Sequence, residues 1–350
     1  MSSFVAFAVS AVCCRLLLGW AEGLRLVDHP IGRKDHEHPT PVIGGIAIYA
    51  ALLPALLSLA WPSLDPATLG MLIAGAMLIG VGVADDVLDL PWPARILVQC
   101  GSALVLCACG SVLLSLSLSS AVLPLSLGIF AIPFTVFAVV GLINAVNMID
   151  GVDGLAGSIV ASTLALMSAL AYGTDKLALC AQLLVGASAV LAFLGFNLRM
   201  PGRPKALTFL GNSGSALLGL MLAWAAIELT QGPAARITPA VAPWLVALPI
   251  LDCLTLIGRR LAGGRSPFAA DRLHFHHLLL DRGLSVPKVV VAGTALHLAL
   301  AGAGLGLMAL GASDLWLIGG FLVVLGTYAL IAVGMLGSGQ AVEADPELVK

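Results

Sequence analysis

The sequence predicts an all-α polytopic integral membrane protein with about eleven transmembrane helices, or ten if one weak break falls inside a helix. Its N-terminus is expected outside and its C-terminus in the cytoplasm. Three observations predict this. The 350-residue chain is 59% hydrophobic and only 10% charged, where a soluble globule carries about 25% charged residues. Its mean hydropathy is +1.04. Finally, Lys and Arg gather in alternate segments between the apolar runs.

A spanning helix needs about 20 mostly apolar residues. Division at polar breaks gives candidates at 3–21, 42–61, 67–84, 96–117, 121–142, 155–173, 177–197, 211–230, 240–258, 288–311 and 313–336. The first is apolar from Phe4, with no basic residue before Arg15 and no small-residue cleavage site before the charged stretch 25–37. It is therefore expected to stay as a helix rather than leave as a signal peptide. Only Ser-rich 115–120 divides the fourth from the fifth, and Pro124 and Pro133 should kink the fifth or shift its start. Residues 1–336 read as a single transmembrane domain with its site on cytoplasmic loops. Residues 337–350 read as a flexible cytoplasmic tail.

Thirteen of the 17 Lys and Arg fall in alternate inter-span segments and Lys350 in the tail on the same side, fourteen in all; Lys176 and Arg236 lie on the other side and Arg15 within the first span. Positive residues mark the cytoplasmic side. The same alternation places Asp85, Asp86, Asp150, Asp153 and the histidines at 274, 276 and 277 in the cytoplasm. The seven cysteines form no CxxC pair, so they read as small packing residues rather than zinc ligands or disulfides. No internal repeat supports an inverted-repeat transporter. A transport path would also need ionisable groups within the spans, for which Asp252 and Arg15 are the few candidates.

Several polar strings interrupt this apolar chain. Asp85-Asp86-Val-Leu-Asp89 follows the third span; adjacent carboxylates repel unless a cation or nearby basic groups stabilise them. Mg²⁺ usually binds through one or two such carboxylates plus substrate phosphates, although a solvated helix end reads the same way. Asn144, Asn147, Asp150 and Asp153 recur every three residues, a helical spacing that lets neighbours converge on one ligand. Gly151 and Gly154 allow the backbone to turn there. In Phe209-Leu-Gly-Asn212-Ser-Gly-Ser215, small residues at a helix start leave N–H groups for phosphate, or the helix is simply capped by Ser213 or Asn212 and packed through its small residues. Ser266 to His277 brings Arg272, His274, His276 and His277 into one loop. It lacks the Cys or HExxH pattern of a zinc site, and anion recognition suits it better. Lys34 and its basic neighbours in the first cytoplasmic loop are placed to steer a phosphate or to anchor the membrane edge.

In this order, the strings RKDHEHPTPVIGG, DDVLDLP, NAVNMIDGVDGL, FLGNSGS and SPFAADRLHFHHLL resemble those of the polyprenyl-phosphate N-acetylhexosamine-1-phosphate transferases, the WecA/MraY superfamily or glycosyltransferase family 4. The resemblance runs from about Asp28 to Gly283. The DRLHFHH form is similar to the branch that transfers GlcNAc-1-phosphate or a related amino-sugar phosphate. The resemblance implies an enzyme that moves a sugar 1-phosphate from a UDP-N-acetylhexosamine to undecaprenyl phosphate and releases UMP. It implies Mg²⁺ as cofactor, with Mn²⁺ as a substitute. It also implies membrane lipid rather than nucleic acid as partner, a homodimer as a plausible assembly, and a bacterial inner-membrane location with the site facing the cytoplasm. Carried onto this chain, Asp85, Asp86, Asp150, Asp153, His274 and His276 are catalytic. Lys34, Asn144, Asn147, Asn212, Arg272 and His277 bind substrate, and Asp150 and Asn212 face the metal. One departure stands out: the family usually has Asp in Gly-Asp-x-Gly-Ser, where this chain has Asn212. An amide oxygen can still ligate Mg²⁺ without the negative charge, and the other motifs persist, so an active enzyme is expected; a weakened or inactive homologue serving as a membrane scaffold is the alternative, supported by Asn212 alone.

Overall fold

The computed structural model describes residues 1–29, 39–60, 63–117, 126–232, 235–266 and 273–337. Among these, helices account for nearly every element: α1 (Ser2–Trp20), α2 (Gly44–Ala60), α3 (Pro66–Leu88), α4 (Trp92–Ala108), α5 (Ala131–Ile149), α6 (Leu155–Gly173), α7 (Leu177–Asn197), α8 (Gly211–Thr230), α9 (Ala242–Leu245), α10 (Ala247–Ala262), α11 (Phe275–Leu280), α12 (Val286–Ala309) and α13 (Asp314–Gly337). Eight described helices are long and apolar enough to cross a membrane, or nine with the bent pair α9–α10 counted as one span; α2 and α4 are shorter apolar helices. The protein is an all-α polytopic membrane protein.

Each apolar segment expected from the sequence contains a helix, and the differences have local causes. The fourth helix stops at Ala108 because Gly110 turns the chain at φ +98°. The fifth starts at Ala131, so Pro133 falls in its first turn, where the missing N–H has no partner to lose. Pro124 lies outside the described residues, as do Lys34, Arg272 and the tail from residue 338. The ninth segment is not one straight span: the helical turns Pro239–Leu245, which end in α9, and α10 diverge by 82° at Val246. Pro249, in the first turn of α10, cannot bond to the carbonyl of Leu245 and its ring would clash there. A continuous helix is therefore interrupted just before α10.

The centre of the bundle is α8, which is buried along nearly its whole length. A helix apolar on all sides belongs in such a core. Its neighbours approach through small residues. A Cβ on Gly45 of α2 would stand 2.4 Å from the Gly214 nitrogen, and one on Gly82 of α3 only 2.2 Å from Ser213 Cα. The segment entering α8 is strapped to a short antiparallel pair, β1 (Val27–Asp28) with β2 (Thr40–Pro41). The Phe209 N–H and the Thr208 hydroxyl both donate to the Pro41 carbonyl, at 2.7 and 2.8 Å. The strap holds the entry to α8 on β2, while Gly82 lets the end of α3 touch the first turn of α8. Gly82→Ala is accordingly expected to cost about 1–3 kcal/mol through overpacking, seen as a lower melting temperature in detergent. An unchanged melting temperature would show that the α3–α8 contact tolerates a methyl group.

Candidate active site

At one end of the bundle the polar strings of the sequence meet. Asp85 and Asp86 lie in the last turn of α3. The Asp85 carboxylate is buried and engaged on both oxygens, accepting from the Leu90 N–H at 2.9 Å and from Arg95 at 3.0 Å. Asp86 points the other way and accepts the Asn212 N–H at 3.0 Å, so it caps α8 in place of Ser213 or Asn212. The helix start therefore already carries an anion. The second Asp86 oxygen is buried without a hydrogen-bond partner among the described residues.

The two asparagines of α5 reach different neighbours. Asn144 donates to Gln99 of α4 at 2.7 Å, while Asn147 donates to Ser215 at 2.8 Å and to the Asn212 side-chain oxygen at 3.2 Å, both on α8. Asp150 ends α5, and no hydrogen bond to its carboxylate occurs among the described residues. Burial raises its pKa well above the usual carboxylate range, and the nearby charges of Asp153 and Asp86 push it further. Asp153 is neutralised instead by Arg199 at 2.7 Å. Gly154 turns the chain into α6 at φ +87°, and its N–H donates to the buried side chain of Asn197, which also donates to the Thr208 carbonyl. Asn197 thus ties the Asp150–Asp153 loop to the α8 strap.

The histidines come from the loop that leads into α11. Asp252, buried in α10, holds three groups of this region: His274 Nδ1 at 2.8 Å, the Phe275 N–H at 2.8 Å and the Tyr328 hydroxyl of α13 at 3.0 Å. His276 is 1% exposed and packs between the rings of His274 and His277, with centroids 5.3 and 4.3 Å away. Burial, then the charges of His277 and His274, lower its pKa well below the imidazole range, so it is neutral at physiological pH. A Cβ on Gly151 would stand 2.2 Å from His276 Nε2. The glycine after Asp150 is therefore what admits this ring.

Two cavities, of about 540 and 1450 Å³, open on this cluster. They share Asp85, Asn147, Asp150, Gly151, Asn212 and His277 as lining residues. The smaller one continues between apolar side chains of α3, α4, α5 and α10, including Leu78, Val81, Ile96, Ile143 and Ile257. The larger is charged, with Arg25, Asp28, His29, Asp153 and Arg199 on its wall. Of the residues expected from the sequence, Asp85, Asp86, Asn144, Asn147, Asp150, Asp153, Asn212, His274, His276 and His277 all border one or both cavities. Lys34 and Arg272 lie outside the described residues. Sequence reasoning missed Gln99, Arg95, Asn197 and Tyr328 as site residues, and weighed Asp252 only as a candidate for a transport path. Asp252 carried a usable signal, since an ionisable residue within a span marks a functional site by default.

Among the described residues, no three His, Cys, Asp or Glu side chains make a ready-built metal site. The unpartnered Asp86 oxygen and the Asp150 carboxylate are nevertheless hard oxygen donors that repel each other. That donor set fits Mg²⁺, which commonly takes one or two carboxylates and completes its shell with substrate phosphates and water.

Fold and site together define a polytopic membrane protein with a cleft of acids, amides and histidines reached by two cavities, the smaller of which extends between apolar side chains of four helices. The chain belongs to glycosyl transferase family 4, whose family model matches residues 68–230. It is 34% identical over 280 residues to the undecaprenyl-phosphate alpha-N-acetylglucosaminyl 1-phosphate transferase of Salmonella typhi, covering 80% of this chain and 76% of that protein. The Escherichia coli (strain K12) protein of the same name is 32% identical over 285 residues, covering 81% and 77%. That of Yersinia pestis is 34% identical over 268 residues, covering 76% and 72%.

Proposed function

We propose that this protein transfers a sugar 1-phosphate, GlcNAc-1-phosphate first among the candidates, from a UDP-sugar to undecaprenyl phosphate at the cytoplasmic face of a bacterial inner membrane. The observation that carries the reading is the place of Asp150: a half-buried carboxylate with no hydrogen-bond partner among the described residues, set where the two cavities meet. The named activity of the relatives supports it. The larger cavity, walled by Arg25, Asp28, His29, Asp153 and Arg199, suits the nucleotide diphosphate, and the apolar stretch of the smaller one, beside its polar groups, suits the phosphate end of a polyprenyl chain. The alternation of Lys and Arg between the apolar segments of the sequence supports the orientation.

In this reading an oxygen of the lipid phosphate attacks the β-phosphorus of the donor. The bond from that phosphorus to the bridging oxygen breaks, and UMP leaves with the bridging oxygen and its electron pair. A phosphate monoester has a second pKa near ~6, so the attacking group is largely a dianion and needs no obligatory base. The protein's share is then positioning and charge stabilisation. Asn147 and Asn212 are linked to each other and present amides at the junction. Neutral His276 is held against Gly151 by its flanking rings, and His274 is fixed by Asp252. Asp86 and Asp150 would hold Mg²⁺, which when bound supplies positive charge against the diphosphate. Arg95 pairs with Asp85 and orients it; Asp85 therefore shapes the end of α3 beside the acceptor.

The proposal is tested by UMP release from purified protein supplied with undecaprenyl phosphate, Mg²⁺ and a panel of UDP-N-acetylhexosamines. Release from none of them, with nucleotide still bound, would favour the scaffold reading. Asn212 is the observation behind that second reading, yet its side chain is tied into the site through Asn147. Asn212→Asp adds a carboxylate beside Asp86 and Asp150. It is expected to lower the Mg²⁺ concentration for half-maximal activity roughly tenfold, as about 1.4 kcal/mol of extra attraction would. In chelator it should lower the melting temperature, because a further like charge joins the cluster. Unchanged Mg²⁺ dependence would place position 212 away from the metal.

A further inference from the structure

One buried face of α12 is shaped to the broken span. Gly293, His297, Ala301 and Gly304 are all buried and follow at four, four and three residues, so they line one side of the helix. A Cβ on Gly304 would stand 2.4 Å from the Trp244 side chain of α9. One on Gly293 would stand 3.1 Å from the Phe275 ring and 3.7 Å from Leu248 of α10. Between them His297, fully buried, meets the break itself. The Leu248 N–H donates to its Nδ1 at a long 3.4 Å, and its Nε2 lies 2.7 Å from the Thr163 hydroxyl of α6.

The proton positions follow from chemistry. An amide N–H can only donate, so Nδ1 is bare and the ring proton sits on Nε2, given to Thr163. The Thr163 hydroxyl in turn donates a hydrogen bond to the Ile159 carbonyl at 2.8 Å. First-turn N–H groups have no partner within their helix, and in an apolar interior an unmatched one is costly. His297 supplies that partner at the point where Pro249 has already interrupted the helix. Leu248 and Asp252 are one turn apart on α10, hence on the same side. Whatever fixes Leu248 also fixes the height at which Asp252 holds His274 and Phe275.

We propose that His297 is a positioning residue: it pins the break between α9 and α10 and thereby sets the register of Asp252 and the histidine loop. The kinetic arm of the test rests on the transfer reading; the exchange arm does not.

Full-length protein in lipid nanodiscs is compared with His297→Phe, His297→Asn and Thr163→Val. In His297→Phe, kcat for UMP release should fall roughly tenfold with little change in donor KM, since small misplacements of a catalytic group act on rate. Hydrogen exchange of residues 273–280 should quicken several-fold, while that of α7 stays as in the wild type. Asn, whose amide oxygen can accept the Leu248 N–H, should recover most of both. Thr163→Val should shift both in the same direction by less, and decides the matter if the Phe variant does not fold. Wild-type exchange at 273–280 in the folded variants, or an Asn variant no better than Phe, overturns the proposal. If the wild type releases no UMP the transfer reading fails, and the exchange comparison still decides the role of His297.

Discussion

Asp150→Asn is expected to lower UMP release by about a thousandfold while leaving the protein folded. Loss of one pre-organised electrostatic contact costs up to roughly 10³ in rate, and Asp150 is the carboxylate best placed to supply one. Asp85 is spent on Arg95 and the Leu90 N–H, and Asp153 on Arg199. Asp86 gives one oxygen to the start of α8. Asp150 has no such commitment among the described residues, and both cavities reach it. Asparagine keeps the shape and removes the charge. Because burial and two neighbouring carboxylates oppose ionisation at this position, the variant measured in chelator should melt no lower than the wild type. Loss of activity together with loss of stability would instead mark Asp150 as a structural residue.

The second large effect is expected at Asp252. Replacement by alanine strips the partner from His274, the Phe275 N–H and the Tyr328 hydroxyl at once. Each buried polar group left unmatched costs about 1–3 kcal/mol, so a loss of about 3 kcal/mol or more in stability is expected. The histidine loop loses its anchor as well, and kcat should fall by roughly 10² through misplacement, with a smaller change in donor KM. Asp252→Asn keeps one acceptor oxygen and should fall between the two. Thermal melts and steady-state UMP release on the same preparations check both parts. An alanine variant with wild-type kcat would separate Asp252 from the chemistry.

Much of the site was legible because the chain is so apolar. Against that background Asp85–Asp86, the Asn144–Asp153 series and the histidines stand out, and the alternation of Lys and Arg gathers them on one face. What stayed hidden depends on packing between distant helices. That Asp86 rather than Ser213 caps α8 follows from Gly82 letting α3 touch Ser213, which no local pattern announces. Gln99 and Asn197 are single amides in apolar helices, and each acquires a role only through its partner, Asn144 or the Gly154 N–H. Asp252 was visible, but as a candidate for a transport path; its meaning changed once the histidine loop folded back onto it. The bend at Val246 was written in Pro243 and Pro249, yet a count of apolar residues over 240–258 sees one continuous span.

The central claim is that a phosphate-bearing lipid displaces UMP at the junction held by Asp150. Its most direct test follows a donor radiolabelled in its β-phosphate, supplied with undecaprenyl phosphate and Mg²⁺ to the purified protein and to Asp150→Asn. The wild type should move the label into the lipid phase in amounts equal to the unlabelled UMP released, and the variant should move almost none. Label released into water as a free sugar phosphate, or equal transfer by the variant, would contradict it.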